Sequence, residues 1–143
     1  MGSMLKATPS SEIFQIPARA VPNFWHLAHT YLNDACNHTA CEYTAEMLLD
    51  ECFTGNSQLW LVWSDDRGCE CAVVTGILPH CATCLIKACG GRGIQHWLGL
   101  LDEIERWAKQ QGCVKMRLFG RKGWSRVLKD YRVERVILDK ELV

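Results

Sequence analysis

The sequence predicts an α/β (α+β) fold, built on a mixed, mostly antiparallel central sheet with a βαβ unit and helices on both faces. Three strand-like runs of apolar residues lie between residues 59 and 89 and are separated by short turns, which is typical of an antiparallel meander. A glycine-rich turn at residues 90–93 follows the last run and leads into a helix and then another strand. A strand, a crossover helix and a strand place the two strands parallel.

The N-terminal part contributes one strand and two helices. Residues 12–16 alternate in the manner of a short strand. Apolar residues recur at helical spacing over residues 24–35, and Pro22 stands where a first helical turn tolerates proline. A second helix is expected over residues 44–53, because Thr44 is a favoured N-terminal cap and apolar side chains share one face.

The later elements follow from apolar runs bounded by turn residues. The turn at residues 65–68 joins two strands as a hairpin. The long helix after Gly93 carries an apolar stripe that begins at Trp97, and Gly112 is its expected end. In chain order we predict strands at 59–63, 69–78 and 84–89, the long helix, a strand at 114–119, a short helix at 123–130 and a final strand at 135–142.

Length and composition favour one folded domain. The chain has 143 residues, of which 48% are hydrophobic, enough for a core of its own. We expect a single domain over residues 4–143, with residues 1–3 an expression-tag remnant before Met4. No apolar run approaches the ~18 to 20 residues of a membrane helix, and no signal peptide is recognisable. These features predict a cytoplasmic protein that does not associate with membranes.

Nine cysteines could indicate a disulfide-stabilised secreted protein, but their number is odd and most lie in apolar segments. Buried free thiols behave as small hydrophobic side chains, so we expect reduced cysteines in a cytosolic core. The segment from His80 to Cys84, with Cys69, Cys71 and Cys89 nearby, has side chains suited to zinc. A lone C-x-x-C is a weak signal, and no metal is expected.

Charge is divided unevenly along the chain although the formal net charge is zero. Residues 1–86 carry 3 basic and 9 acidic side chains, whereas residues 87–143 carry 13 basic and 7 acidic ones. An anionic ligand is therefore expected at the C-terminal half.

The segment from Gly90 to Val143 resembles small GNAT (N-acetyltransferase-like) proteins encoded by phages and prophages. The stretches that carry the resemblance are Gly90-Gly-Arg-Gly-Ile-Gln-His-Trp-Leu, Glu105-Arg-Trp-Ala-Lys-Gln-Gln-Gly-Cys, Gly120-Arg-Lys-Gly-Trp-Ser-Arg-Val-Leu-Lys-Asp-Tyr and the terminal Leu138-Asp-Lys-Glu-Leu. The element order of the GNAT superfamily also covers nearly the whole chain. The resemblance implies a GNAT-like acyl-CoA-binding protein, with acetyl-CoA as its cofactor, that transfers the acyl group to an amine.

In that family the turn after the fourth strand wraps the pyrophosphate of acyl-CoA with backbone N–H groups. Donors without partners at a helix start, together with the helix dipole, favour an anion. The residues that would form this cradle here are Gly90, Gly91, Arg92, Gly93, Ile94 and Gln95. The same glycines are equally compatible with a plain flexible connection.

The resemblance also implies groups that transfer protons. Many GNAT enzymes have a tyrosine that protonates the departing thiolate at the position held here by Leu128. Tyr131 lies three residues later on roughly the same helical face, which makes it the acid candidate, with a packing role as the alternative. Glu70 and His80, with His96 beside them, are the candidates for a base that accepts a proton from the amine.

Two other functions remain open. Because the chain departs from the GNAT pattern at the cradle and the tyrosine, the fold is also compatible with a non-catalytic phage module that binds a host or virion protein, or a second copy of itself. A basic patch with one tryptophan is compatible with nucleic-acid binding. Its members are Lys115, Arg117, Arg121, Lys122, Trp124 and Arg126.

Overall fold

The strands form one five-stranded sheet in chain order in the computed structural model, which describes residues 10–38, 42–120 and 123–143. Neighbouring strands are antiparallel except the last two, which are parallel. The strands are β1 (Glu12–Ile16), β2 (Gln58–Ser64), β3 (Gly68–Leu78), β4 (Thr83–Gly91) and β5 (Lys115–Leu118). The helices are α1 (Val21–Asn37), α2 (Ala45–Phe53), α3 (Ile94–Trp97), α4 (Leu101–Gln110) and α5 (Trp124–Val127). The predicted fold class and the parallel pair are confirmed.

The first two helices begin where the sequence predicts. Pro22 stands in the first turn of α1, where its missing N–H costs nothing. Thr44 precedes α2 in an extended conformation, and its Oγ1 accepts a hydrogen bond of 3.1 Å from the backbone N–H of Met47. That bond satisfies one of the donors that a helix start leaves without a partner.

The long helix expected after the glycine turn is interrupted. A 3₁₀ turn at Leu98–Leu100 separates α3 from α4, so the helix that follows the turn is only four residues long. Gly99 in this turn is the physical reason, because glycine weakens a helix interior by about 1 kcal/mol relative to alanine. The prediction of a single continuous helix is wrong at this point.

The two faces of the sheet bury separate cores, because successive strand residues point to opposite sides. On one face, α1 and α2 cover side chains that include Leu59, Leu61 and Val74. On the other face, Ile104 of α4 and Trp97 pack on Trp60 and its neighbours. Trp60 meets Trp107 edge to face with ring centroids 5.3 Å apart, while its Nε1 donates to Thr75 Oγ1 at 3.0 Å.

The predicted final strand at 135–142 does not form. Residues 128–143 adopt no regular element, and the side chains of Leu138 and Leu142 are 90% and 89% exposed. An alternating sequence becomes a strand only when another strand pairs with it, and no described strand does so here. The short helix expected at 123–130 is also cut back to Trp124–Val127.

Candidate functional site

A groove opens between the two parallel strands in the middle of β4. Their ladder runs from Thr83 opposite Lys115 to Ile86 opposite Leu118, where β5 ends while β4 continues to Gly91. The groove is lined by Ala35, His38, Ala88, Cys89, Leu118, Phe119, Gly120 and Trp124. It encloses only ≈ 20 Å³, about the room of one water molecule, and the Trp124 side chain forms part of its wall.

Two of the predicted cradle residues lie within the sheet rather than in the turn. Gly90 and Gly91 end β4 and pair with Ala72 and Cys71 of β3. A Cβ on Gly90 would collide with the backbone oxygen of Tyr31 in α1, and one on Gly91 would collide with the backbone oxygen of Glu70. Close packing of α1 and β3 therefore accounts for both glycines.

The turn itself is held by internal hydrogen bonds that use part of the expected cradle. The backbone N–H of Arg92 donates to the backbone oxygen of Glu70 at 2.8 Å, and the indole N–H of Trp97 donates to the backbone oxygen of Arg92 at 2.7 Å. Gly93 adopts φ 60°, the left-handed region that glycine tolerates best. The backbone N–H groups of Gly93, Ile94 and Gln95 lie at the start of α3, where a helix provides no carbonyl acceptor for them.

Glu70 lies beneath this turn as a buried anion. Its side chain is 1% exposed, and Oε2 accepts bonds of 2.9 Å from Arg67 Nε and from His96 Nδ1. Oε1 accepts a hydrogen bond from Ser11. Burial acts to raise the pKa of Glu70, but the hydrogen bonds from Ser11, Arg67 and His96 together lower it below its usual value. A carboxylate so well satisfied is a weak base.

The other two catalytic candidates are His80 and Tyr131. His80 is exposed in the turn between β3 and β4, about 25 Å along the hairpin from Glu70 by strand geometry. Tyr131 is half-buried after α5, and burial, reinforced by the nearby charge of Glu105, raises its pKa well above the usual value. Glu70 and His80 therefore cannot serve one reaction centre, while Tyr131 stays protonated over the whole physiological range.

The basic patch is only partly within the described residues. Lys115 is exposed on β5 and Arg117 is half-buried, while Arg126 is exposed on α5. Trp124 is half-buried, packs with the core beneath α4 and borders the groove, so it is a packing residue rather than an exposed contact. Arg121 and Lys122 lie outside the described residues.

Most of the cysteines lie within the described part of the chain. The free thiols in the described part of the chain include Cys52, Cys69, Cys71, Cys81, Cys84, Cys89 and Cys113. Cys41 lies outside the described residues. Within the part of the chain that the structure describes, no group of three or more His, Cys, Asp or Glu side chains is placed to hold a metal ion. In that same part no helix is long and apolar enough to cross a bilayer.

Sequence reasoning missed Lys87 altogether. This lysine occupies the middle of β4, and its side chain is only 13% exposed. It bonds Glu51 of α2 at 2.7 Å, a partner 36 residues away, so no local pattern could have identified it. Ser11 was missed for the same reason, since its partner Glu70 lies 59 residues away. Arg67 was also missed, although it lies only three residues before Glu70.

Comparison with known proteins identifies solved structures with a similar fold. No protein-family model and no curated protein sequence matches the chain. An aminoglycoside acetyltransferase from an uncultured soil metagenomic sample, in complex with sisomicin, is similar in structure with a TM-score of 0.66 and 10% identity, over 93% of this chain and 96% of that one. Aminoglycoside N-acetyltransferase AAC(6')-Iy in complex with CoA gives a TM-score of 0.63 and 12% identity, over 96% and 99%.

A ribosomal-protein-alanine N-acetyltransferase from Brucella melitensis biovar Abortus 2308 gives a TM-score of 0.58 and 11% identity, over 94% of this chain and 98% of that one. Identities this low establish likeness of fold alone. The order of elements, the parallel pair β4–β5 and the groove between them agree with that likeness. The chain therefore has the GNAT fold, the fold of these N-acetyltransferases.

Proposed function

We propose that the protein binds an acyl-CoA, with acetyl-CoA as the first candidate, and transfers the acyl group to an amine. The observation that carries this proposal is the groove that begins where the pairing of β4 with β5 ends, on the strand that leads through the glycine turn into α3. One protein of similar structure, AAC(6')-Iy, was solved both with CoA and with a CoA-linked bisubstrate analogue. Its ligands support the choice of cofactor.

The phosphate end of the cofactor would lie at the turn. The N–H groups of Gly93, Ile94 and Gln95 would donate to phosphate oxygens, and the exposed Arg92 adds a positive charge. Glu70 beneath the turn would repel a phosphate if it stood alone. Because Arg67 and His96 bind its carboxylate, the repulsion is offset, and the donor set fits a phosphate group.

The acyl end would enter the groove beside Ala88 and Cys89 of β4. The space of ≈ 20 Å³ does not admit a pantetheine arm as it stands, so Trp124 would have to swing away from β4 on binding. Acyl-CoA would supply an activated thioester carbonyl, whose carbon forms a bond to the amine nitrogen as the bond to sulfur breaks. A backbone N–H of β4 would polarise that carbonyl, and Tyr131 would give its proton to the departing sulfur.

The incoming amine must lose a proton, and neither Glu70 nor His80 is suited to accept it. Glu70 is committed to three donors, and His80 lies at the far end of the hairpin. We therefore propose that the amine loses its proton to water rather than to Glu70.

Thermal unfolding with and without acetyl-CoA tests the binding step. Ligand at 100 times its Kd adds about 2.7 kcal/mol of stability, so a clear rise in Tm is expected. Trp124→Ala opens the groove and should strengthen binding if the indole must move. No shift with millimolar acetyl-CoA in either protein would contradict the proposal. Transfer is then tested by release of free thiol with a panel of amines, with Tyr131→Phe expected to slow it.

The narrow groove favours a second candidate, in which the fold serves as a non-catalytic module for binding a host or virion protein. A protein-binding module does not require a groove wide enough for a cofactor. The exposed apolar side chains within residues 133–143 would provide a surface for a protein partner. Failure of both the parent and Trp124→Ala to bind acetyl-CoA, with the fold intact by circular dichroism, is the result that would favour this candidate.

A further inference from the structure

The middle of β4 contains a β-bulge centred on Lys87. Val74 of β3 lies opposite Ala88, and the next residue, Thr75, lies opposite Ile86, so Lys87 is an extra residue in β4. Ala88 belongs to the core beneath α1 and α2, and Lys87 reaches Glu51 of α2 on that same side. Two consecutive residues on one face of a strand are the mark of a bulge.

The bulge coincides with the point where the groove begins. The ladder between β4 and β5 ends at Ile86, the residue directly before Lys87. Bulges bend the strand that contains them and increase its twist, which turns the following residues away from a neighbouring strand. The extra residue therefore lies where the pairing of β4 with β5 ends, in a position to direct Ala88 and Cys89 away from β5.

The side chain of Lys87 is anchored rather than free. Its Nζ lies 2.7 Å from Glu51 Oε1 and 2.8 Å from Ser57 Oγ, and Ser57 in turn donates to Glu51 at 3.0 Å. Nζ also lies 5.5 Å from the centre of the Tyr43 ring. At 13% exposure this ammonium has little access to water, so its partners determine where it lies.

The path of the lysine depends on a glycine in the neighbouring strand. A Cβ on Gly76 would lie 2.6 Å from Lys87 Cε and 2.9 Å from its Nζ. Glycine at this position leaves room for the lysine stem to cross β3 towards α2. A bulged residue, a glycine that makes room for it and an ion pair at its end thus form one connected arrangement.

We infer that Lys87 is the positioning residue of the groove: through Glu51 and Ser57 it holds the bulge that separates β4 from β5 and presents the β4 backbone to a ligand. The expected effect of Lys87 on acyl-CoA binding rests on the proposed function, whereas its expected effect on the position of the bulge does not. Without the anchor, the extra residue is free to move along β4, and the backbone at Ala88 and Cys89 loses its fixed direction.

The test compares Lys87→Met, which keeps the stem without the charge, with Lys87→Arg and with the control Lys109→Met at an exposed position on α4. Amide spectra of the full ¹⁵N-labelled chain should show shifts or broadening for Lys87→Met at residues 86–89 and at Leu118 across the groove. Lys87→Arg should restore much of the parent pattern. Changes confined to α2 and Ser57, with Ala88, Cys89 and Leu118 unmoved, would overturn the inference.

Ligand binding gives the second measurement. The Kd for acetyl-CoA should rise about tenfold in Lys87→Met, with no change in Lys109→Met; an unchanged Kd despite a displaced bulge would overturn the effect on the ligand. If the parent itself does not bind acetyl-CoA, the proposed function fails and the amide spectra alone decide the inference. If Lys87→Met does not fold, Glu51→Gln is used instead, with the same spectral changes expected in weaker form.

Discussion

Removal of the Arg67 guanidinium should show how strongly the stability of the fold depends on the ion pair with the buried Glu70. In Arg67→Met the carboxylate of Glu70 stays buried, 1% exposed in the parent, but loses the 2.9 Å bond from Nε. Ser11 loses its contact of 3.2 Å with Arg67 Nη2 at the same time. Among the described residues, only the ring of His96 and the hydroxyl of Ser11 would still donate to this carboxylate.

The size of the effect follows from these contacts. A hydrogen bond to a charged group contributes about 1.5 to 3 kcal/mol. The Arg67 side chain is 26% exposed, and solvent reaches part of the pair, so we take about 2 kcal/mol for the loss in the free energy of unfolding. That loss lowers the ratio of folded to unfolded protein by roughly thirtyfold.

Urea unfolding at pH 7 measures this loss directly. The control Arg106→Met removes an ion pair with Glu103 on the exposed surface of α4 and should cause no measurable change. In the background of Glu70→Gln, removal of Arg67 should cost much less than in the parent, because the buried charge is gone. A loss below about 0.5 kcal/mol for Arg67→Met in the parent would refute the reasoning, since that is the range of ordinary surface substitutions.

Three further predictions concern acid stability, packing and the tail. Because the pKa of Glu70 is lowered in the folded state, its carboxylate stabilises the fold above about pH 4.3, the unfolded value, and this contribution is lost as pH falls further; the stability advantage of the parent over Glu70→Gln in urea should therefore shrink on acidification. An advantage that grows at low pH would contradict this sign. Gly90→Ala should cost about 2 kcal/mol in urea unfolding because its Cβ meets the backbone of Tyr31, whereas Gly99→Ala, with nothing within 4 Å, should be neutral or slightly stabilising; equal effects of the two would be the contrary result. Deletion of residues 132–143 should leave the free energy of unfolding within about 0.5 kcal/mol, because these side chains are exposed, and a larger loss would mean that the tail covers part of the fold.

Patterns read over short stretches of sequence determined most of the secondary structure. Thr44 was identified as a cap because its effect depends on the three residues that follow it. The parallel arrangement of β4 and β5 followed from a strand, a glycine turn, a helix and a strand in succession. Gly99 is also a local feature, but the prediction of one long helix rested on the apolar stripe and on Gly112 as its end.

The candidate site was determined mainly by contacts between residues far apart in the chain. Glu70 was chosen as a base from its position, but its bond to Ser11, 59 residues away, makes it part of a buried charge network. The N–H of Arg92 looked available for a phosphate until β3 supplied an acceptor for it. The strand predicted at 135–142 failed for a related reason, because a strand needs a partner that its own sequence cannot specify.

The sequence by itself thus determined the alternation of strands and helices and the glycine turn, because these depend on hydrogen bonds and side-chain spacing within a few residues. The parallel pair followed from the order of those elements. Only the tertiary structure decided where the groove begins. That point depends on an extra residue in β4, on Gly76 in the next strand, and on Glu51 and Ser57, which bind Lys87. Contacts across 30 or more residues leave no periodic trace in a sequence, so folding must bring them together before they can be recognised.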